Sequence, residues 1–265
     1  MNELFSVHEG STPLLVSVPH DGRVLPEFIE KRMTAAGRDI PDTDWHVARL
    51  YDFVRELGAS IYVANYSRYV VDLNRPPDDA ALYESQVSTG ICPDKTFAGD
   101  DLYADEGGLG AGEVEERINT FWSPYHQFIE TKLFALRQRF GYALLWDAHS
   151  IPSQVPSLFD GELPILNIGT NNGESCAPEI ADDVFGIATS SDYDSVMNGR
   201  FKGGYITRHH GDPQNHVHAI QLEIAQRAYM DEDSRELDDA KAGELRESLR
   251  SMLERFLVAT KRHCG

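Results

Sequence analysis

The stretch Tyr142-Ala-Leu-Leu-Trp-Asp-Ala-His-Ser150 constrains the fold more than any other. Five largely apolar residues run unbroken, and the chain then turns at once to Asp147, His149 and Ser150. A continuous apolar run bounded by polar residues reads as a strand buried on both faces, the kind a parallel sheet contains. In open α/β sheets ligands gather at the carboxyl ends of such strands. His149 is therefore expected at the rim of a site. Asp147, on the same face of the strand, is placed to orient its ring.

Leu14-Leu-Val-Ser-Val18 reads as a second buried strand, ending in Pro19-His20-Asp21-Gly22. It delivers another histidine at a strand end, with Gly22 expected to permit a tight turn. Shorter strands are expected over 60–65 and 164–169. In His216-Val-His-Ala-Ile-Gln-Leu-Glu-Ile224, Ile220, Leu222 and Ile224 share one face and Gln221 and Glu223 the other. A glutamate between apolar neighbours in a central strand is expensive to bury unless a cation or partner is near. His218 falls on the apolar face, which suits a hydrogen-bonded core histidine. Helical periodicity is expected over 25–37, 45–57 and 113–140, with a kink near Ser123-Pro124, and again over 177–188 and 239–262. Residues 78–111 lack periodicity and read as a loop excursion. The 265 residues suffice for one large core, so a single α/β domain is expected.

Asp42 or Thr43 can cap the helix that begins near Trp45, and Asp44 in its first turn suits the helix dipole. A ligand role for Asp44 competes evenly with that account. The formal charge of −19 repels phosphate backbones, which argues against a nucleic-acid partner. Cations clustered in so acidic a chain stand out. Arg68, Asn74 and Arg75 lie close together and suggest a preorganised anion pocket. Arg200 and Lys202 precede Gly203-Gly204 and suggest a flexible loop over an anionic ligand. His209-His210, read as strand neighbours, would point to opposite faces and can hardly share one ion. Cys92, Cys176 and Cys264 form no CxxC pair, which points to a reducing cytoplasm. No stretch approaches the roughly 18 apolar residues of a membrane span, and no signal peptide is recognisable.

Two histidines and a carboxylate, His20, Asp44 and His149, would hold a tetrahedral zinc with one position open for water. Zinc lowers the pKa of such a water to about 7. Glu223 could take its proton and pass it to a leaving nitrogen. Arg68 could stabilise an oxyanion, and Asn74 with Arg75 could hold a substrate carboxylate. These parts describe hydrolysis of an amide carried by an acidic small molecule. A serine hydrolase is disfavoured because no G-x-S-x-G elbow occurs, although Ser150 adjoins His149.

Pro19-His20-Asp21-Gly22, Ser67-Arg68, Asp72-Leu-Asn-Arg75, Asp147-Ala-His-Ser150, Gln221-Leu-Glu223 and Tyr229-Met-Asp-Glu232 together resemble the N-formylglutamate amidohydrolase family. The resemblance runs from residue 14 to about 232. That family is in turn similar to zinc-dependent exopeptidases and aspartoacylase-like deacylases. The resemblance implies a mixed, mostly parallel central sheet flanked by helices. It implies His20 and His149 as zinc ligands, Glu223 as base, and Arg68, Asn74 and Arg75 in contact with substrate. The exopeptidase relatives carry a glutamate ligand three residues after the first histidine, where this chain has Arg23. Asp44 is the expected replacement, with Asp42 and Asp21 as alternatives, and iron or cobalt could stand for zinc. The implied reaction converts N-formyl-L-glutamate and water to formate and L-glutamate, as in histidine degradation. Arg75 would hold one substrate carboxylate and the Arg200/Lys202 loop the other. A deacylase or carboxypeptidase for another N-acyl acidic amino acid, or a non-enzymatic anion-binding protein, are the alternatives. Nothing in the sequence decides oligomeric state.

Overall fold

Among the described residues seven strands form one sheet: β1 (Phe5–His8), β2 (Leu14–Val18), β3 (Ser60–Ala64), β4 (Ala143–Ile151), β5 (Leu166–Gly169), β6 (Ser195–Met197) and β7 (Val217–Ala225). Their order is β1-β3-β2-β4-β7-β5-β6. The structure is a computed structural model that describes residues 3–80, 89–104 and 108–264. Strands β3, β2, β4 and β7 run parallel, as do β5 and β6. β1 pairs antiparallel with β3, and β5 with β7. The sheet is therefore mixed and mostly parallel, as expected. β2, β4 and β7 are buried at every position, which is why their sequences read as unbroken apolar runs.

The helices are α1 (Glu27–Glu30), α2 (Ala35–Arg38), α3 (Val47–Leu50), α4 (Ala111–Arg117), α5 (Ser123–Phe140), α6 (Pro178–Thr189), α7 (Tyr205–His210) and α8 (Asp239–Cys264). Leu144, Trp146, Ala148, Ile220, Leu222 and Ile224 face a core shared with α3, α6 and α8. Leu145, Ala143, Val217 and Ala219 face a second core on the α5 side. Trp146 is wholly buried and donates from Nε1 to the Tyr51 hydroxyl at 2.9 Å. Truncating so large a core side chain to alanine typically costs about 3–5 kcal/mol.

Local structure differs from expectation at several points. The helix over 25–37 is two single turns, α1 and α2, separated by a bridge from Met33 to Tyr103. The helix expected from residue 45 is α3 followed by the 3-10 turn Asp52–Arg55. Its N-cap is His46, at φ 64°, so neither Asp42 nor Thr43 caps it. Gly22 makes no left-handed turn; a Cβ there would sit 2.2 Å from the Tyr66 carbonyl oxygen, so the glycine serves a close backbone approach. The interruption near Ser123-Pro124 is a π-helical turn, Ile118–Trp122, leading into α5 with its proline in the first turn. Within 78–111, residues 81–88 and 105–107 lie outside the described residues. The described part before α4 holds isolated bridges and no strand or helix.

Candidate active site

The parallel register sets His149 opposite Glu223 and Asp147 opposite Gln221. These four side chains share the face of the sheet that looks toward α7. β2 ends alongside, and His20 follows it. Asp44 arrives from the loop before α3, where its backbone N–H donates to the His20 carbonyl at 3.1 Å. His20, Asp44 and His149 are all buried, and their ligand atoms lie within 4.8 Å of one another. Asp44 Oδ2 is 3.0 Å from Nδ1 of His149 and 3.8 Å from Nδ1 of His20. It also accepts from Ser150 N at 3.1 Å.

Each ring is held from behind at its other nitrogen. His20 donates from Nε2 to Asp72 Oδ1 at 2.8 Å, and Nε2 of His149 lies 3.1 Å from Asp147 Oδ2. A histidine whose far nitrogen is held by a carboxylate is the usual preparation of a metal ligand. Asp147 was legible as the partner of His149. Asp72 had no assigned role from sequence, although it sits inside the D-L-N-R motif. Asp147 is also reached by Ser17 Oγ at 3.4 Å, Thr207 Oγ1 at 3.3 Å and Asn74 Nδ2 at 3.4 Å.

The charges fit that arrangement. Burial pushes the Asp44 carboxyl up, but the hydrogen bond from His149 and the charges of His20, His149 and Arg68 hold it below the usual range. Burial likewise opposes ionisation of Asp72, yet Arg68 and His20 keep it well below the carboxylate norm. Burial and the Arg68 charge lower His20. Against burial, Asp147 and Asp44 raise His149 well above an ordinary histidine. Burial raises Glu223 to about 8, the charges of Asp44 and Asp147 adding to the rise and those of His149 and Arg68 opposing it. Two nitrogens and a carboxylate oxygen, converging in a buried cluster with both rings backed by carboxylates, form a donor set that fits a divalent ion.

Arg68 is placed among these groups and away from open solvent. It donates from Nη2 to Asp72 Oδ2 at 2.6 Å, and Nη1 lies 3.7 Å from Asp44 Oδ1. Its guanidinium stacks over Phe97 at 5.0 Å. Asn74 is clamped by the start of α7: Ile206 N donates to its Oδ1 at 2.8 Å, which turns Nδ2 to within 2.9 Å of His149 Nε2. Arg75 Nε is buried without a hydrogen-bond partner among the described residues, and Nη2 reaches Thr89 Oγ1 at 3.4 Å. An unpaired buried guanidinium N–H asks for an anion. Arg200 and Lys202 are half-buried in the segment before α7; Arg200 lies over Phe201 at 5.8 Å.

The alternative carboxylates are engaged elsewhere. Asp21 Oδ2 accepts from Ala48 N at 2.9 Å, and Asp42 Oδ2 accepts from Tyr69 Oη at 2.6 Å and Phe97 N at 2.8 Å. Ser150 points to the opposite face from His149, where its Oγ lies 2.7 Å from Tyr229 Oη, so no serine–histidine pair forms. His209 and His210 lie on helix α7, not on a strand. His210 Nε2 is 3.1 Å from His126 Nδ1, and His126 Nε2 donates to the Leu73 carbonyl at 2.8 Å. His126 thus anchors the segment that carries Asn74.

A sequence model of the N-formylglutamate amidohydrolase family matches residues 12–230. The chain is 50% identical over 234 residues to the N-formylglutamate deformylase of Pseudomonas putida, covering 88% of this chain and 87% of that protein. It is 49% identical over 259 residues to the N-formylglutamate deformylase of Pseudomonas aeruginosa PAO1, covering 96% and 97%. The crystal structure of N-formylglutamate amidohydrolase from Ralstonia eutropha JMP134 shares the fold, with a TM-score of 0.82 at 24% identity over 98% of this chain and 99% of that one. A gene product of Agrobacterium tumefaciens has a TM-score of 0.73 at 19% identity, with 96% of each chain covered.

Proposed function

The chain belongs to the N-formylglutamate amidohydrolase family, and from that premise we propose that it hydrolyses N-formyl-L-glutamate to formate and L-glutamate. The observation that carries this reading is the convergence of His20, Asp44 and His149, with both rings backed by carboxylates, beside a buried Glu223.

His20 and His149, each through Nδ1, and Asp44 through its carboxylate would hold a divalent ion, zinc in this reading. When bound, such an ion polarises a carbonyl and lowers the pKa of water. Glu223 is the base. Its buried carboxylate, opposite His149 across the β4–β7 pair, is placed to accept a proton and return it. As water oxygen bonds to the formyl carbon, its proton passes to Glu223. Arg68 and the buried polar surroundings stabilise the oxyanion of the tetrahedral species. The C–N bond then breaks, the Glu223 proton goes to the leaving nitrogen, and formate and the free amine of glutamate result.

Asn74 fixes the orientation of His149 and Asp147 and lines the substrate side. Arg75, with its unpaired buried Nε, receives one substrate carboxylate. Arg200 and Lys202 take the other, at the segment that leads into α7. The three unpaired thiols suit a reducing cytoplasm. Formate release from N-formyl-L-glutamate by the purified protein, set beside N-formyl amino acids with neutral side chains, tests the substrate assignment. Equal turnover of the neutral compounds would reject it.

A further inference from the structure

Alternate positions of β7 serve the two faces of the sheet. Gln221 and Glu223 look toward the site, and Ile220, Leu222 and Ile224 look toward α6 and α8. His218 lies on that second face and is wholly buried. At this N-terminal end of β7, remote from the strand ends that bear His149, a second donor group assembles. The ligand atoms of His216, His218 and Cys264 all lie within 4.8 Å of one another. Cys264 Sγ is 3.5 Å from His218 Nε2. Among the described residues these and the His20 cluster are the two such groups.

Each donor is fixed by the fold. His216 follows the 3-10 turn Pro213–Asn215 with φ 59°. That turn is closed by main-chain bonds between Asp212 and Val217, at 2.8 and 3.0 Å. Cys264 ends α8, which is held to α6 by an ion pair from Arg262 to Asp183. His218 Nδ1 accepts from Ala177 N at 3.3 Å, so its Nε2 is the ring atom turned to Cys264.

A thiolate with two imidazoles is a soft donor set, suited to zinc or copper(I) and unsuited to magnesium or calcium. We propose that His216, His218 and Cys264 bind a thiophilic metal ion, zinc foremost, which ties the end of α8 to the start of β7. Water or His263, whose ring centroid lies 5.9 Å from that of His218, completes the coordination. Binding releases the Cys264 thiol proton to solvent. The His218 ring proton moves from Nε2 to Nδ1, which gives up the long bond from Ala177. Nothing is oxidised or reduced. An ion that gains little from sulfur cannot offset that lost bond, which sharpens the preference for thiophilic metals.

Cobalt(II) loading of the full-length protein tests the proposal. Thiolate-bound cobalt shows a near-ultraviolet charge-transfer band; the His20, Asp44 and His149 group contains no sulfur and produces none. The band is expected in the wild-type protein, retained in His149→Ala and lost in Cys264→Ser. His216→Ala changes an exposed position outside the core and should weaken the band-forming affinity at least ~10-fold. A wild-type protein that shows no band at saturating cobalt overturns the proposal. So does a band that survives Cys264→Ser, or an affinity unmoved by His216→Ala.

Discussion

Asp72 accepts from Nε2 of His20 at 2.8 Å and gives its other oxygen to Arg68 at 2.6 Å. The pair fixes the His20 ring so that Nδ1 is the atom turned toward Asp44 and His149. Removing the charge while keeping the shape should loosen that setting. Asp72→Asn is expected to reduce metal affinity about 10–100-fold, the usual scale for such supporting groups, as measured by competition with a chromophoric chelator. Wild-type affinity would show that Asp72 does not set His20 for the ion.

Glu223 is expected to matter for turnover and not for metal content. Glu223→Gln should lower kcat at least ~100-fold while metal analysis of the purified variant matches wild type. Turnover near normal would remove Glu223 from the mechanism.

The same side chain sets a pH dependence in metal-free protein. Burial raises its pKa from 4.5 to about 8, so between those values the unfolded chain holds fewer protons than the folded one. Glu223 thus contributes stability that is lost as pH rises across that window. His149, also raised, contributes stability that is lost as pH climbs through its folded pKa. Above pH 7, where unfolded histidines are already largely neutral, denaturant midpoints of metal-free protein should decline toward pH 8, and Glu223→Gln should flatten the decline. Equal slopes in both proteins would contradict a Glu223 carboxyl raised by burial.

Gly204 tests the clamp on Asn74. A Cβ there would lie 2.3 to 2.5 Å from the Asn74 carboxamide, which is pinned between Ile206 N and His149. Gly204→Ala should displace that amide and cut turnover at least ~10-fold, since small misplacements at a reacting centre are costly. A circular dichroism spectrum and melting transition close to wild type would accompany it. Normal turnover would mean that Asn74 does not position the site.

Much of this site could be read from the sequence, for a physical reason. Parallel strands buried on both faces leave unbroken apolar runs, so 142–150 marks β4 and the polar residues after it mark the strand end. His20 and His149 follow from that logic, and Glu223 from its place between apolar neighbours. What was missed depends on contacts across long separations. Asp72 meets His20 across 52 positions, and no local pattern announces it. Asp44 reads equally well as a first-turn carboxylate facing the helix dipole, because the left-handed turn at His46 has no signature in the sequence. α7 spans six residues, too few for helical periodicity to show. Its neighbouring Gly203-Gly204 suggested a loop, whereas Gly204 is there because the Asn74 amide fills the space of a side chain.

Arg75 should decide substrate charge. Its buried, unpaired Nε implies that an anion completes it, and a hydrogen bond to a charged group is worth about 1.5–3 kcal/mol. Arg75→Ala should raise KM for N-formyl-L-glutamate by about 10–100-fold, with a much smaller change for an N-formyl amino acid bearing a neutral side chain. An equal loss on both substrates would contradict carboxylate binding at this position.

The central claim is that His20, Asp44 and His149 hold a divalent ion on which hydrolysis depends. Formate release from N-formyl-L-glutamate, followed in protein stripped by chelator and then restored with zinc, tests it most directly. The account predicts that activity vanishes on stripping and returns with added zinc in wild type but not in His149→Ala. Full activity in protein shown by elemental analysis to be metal-free would contradict it.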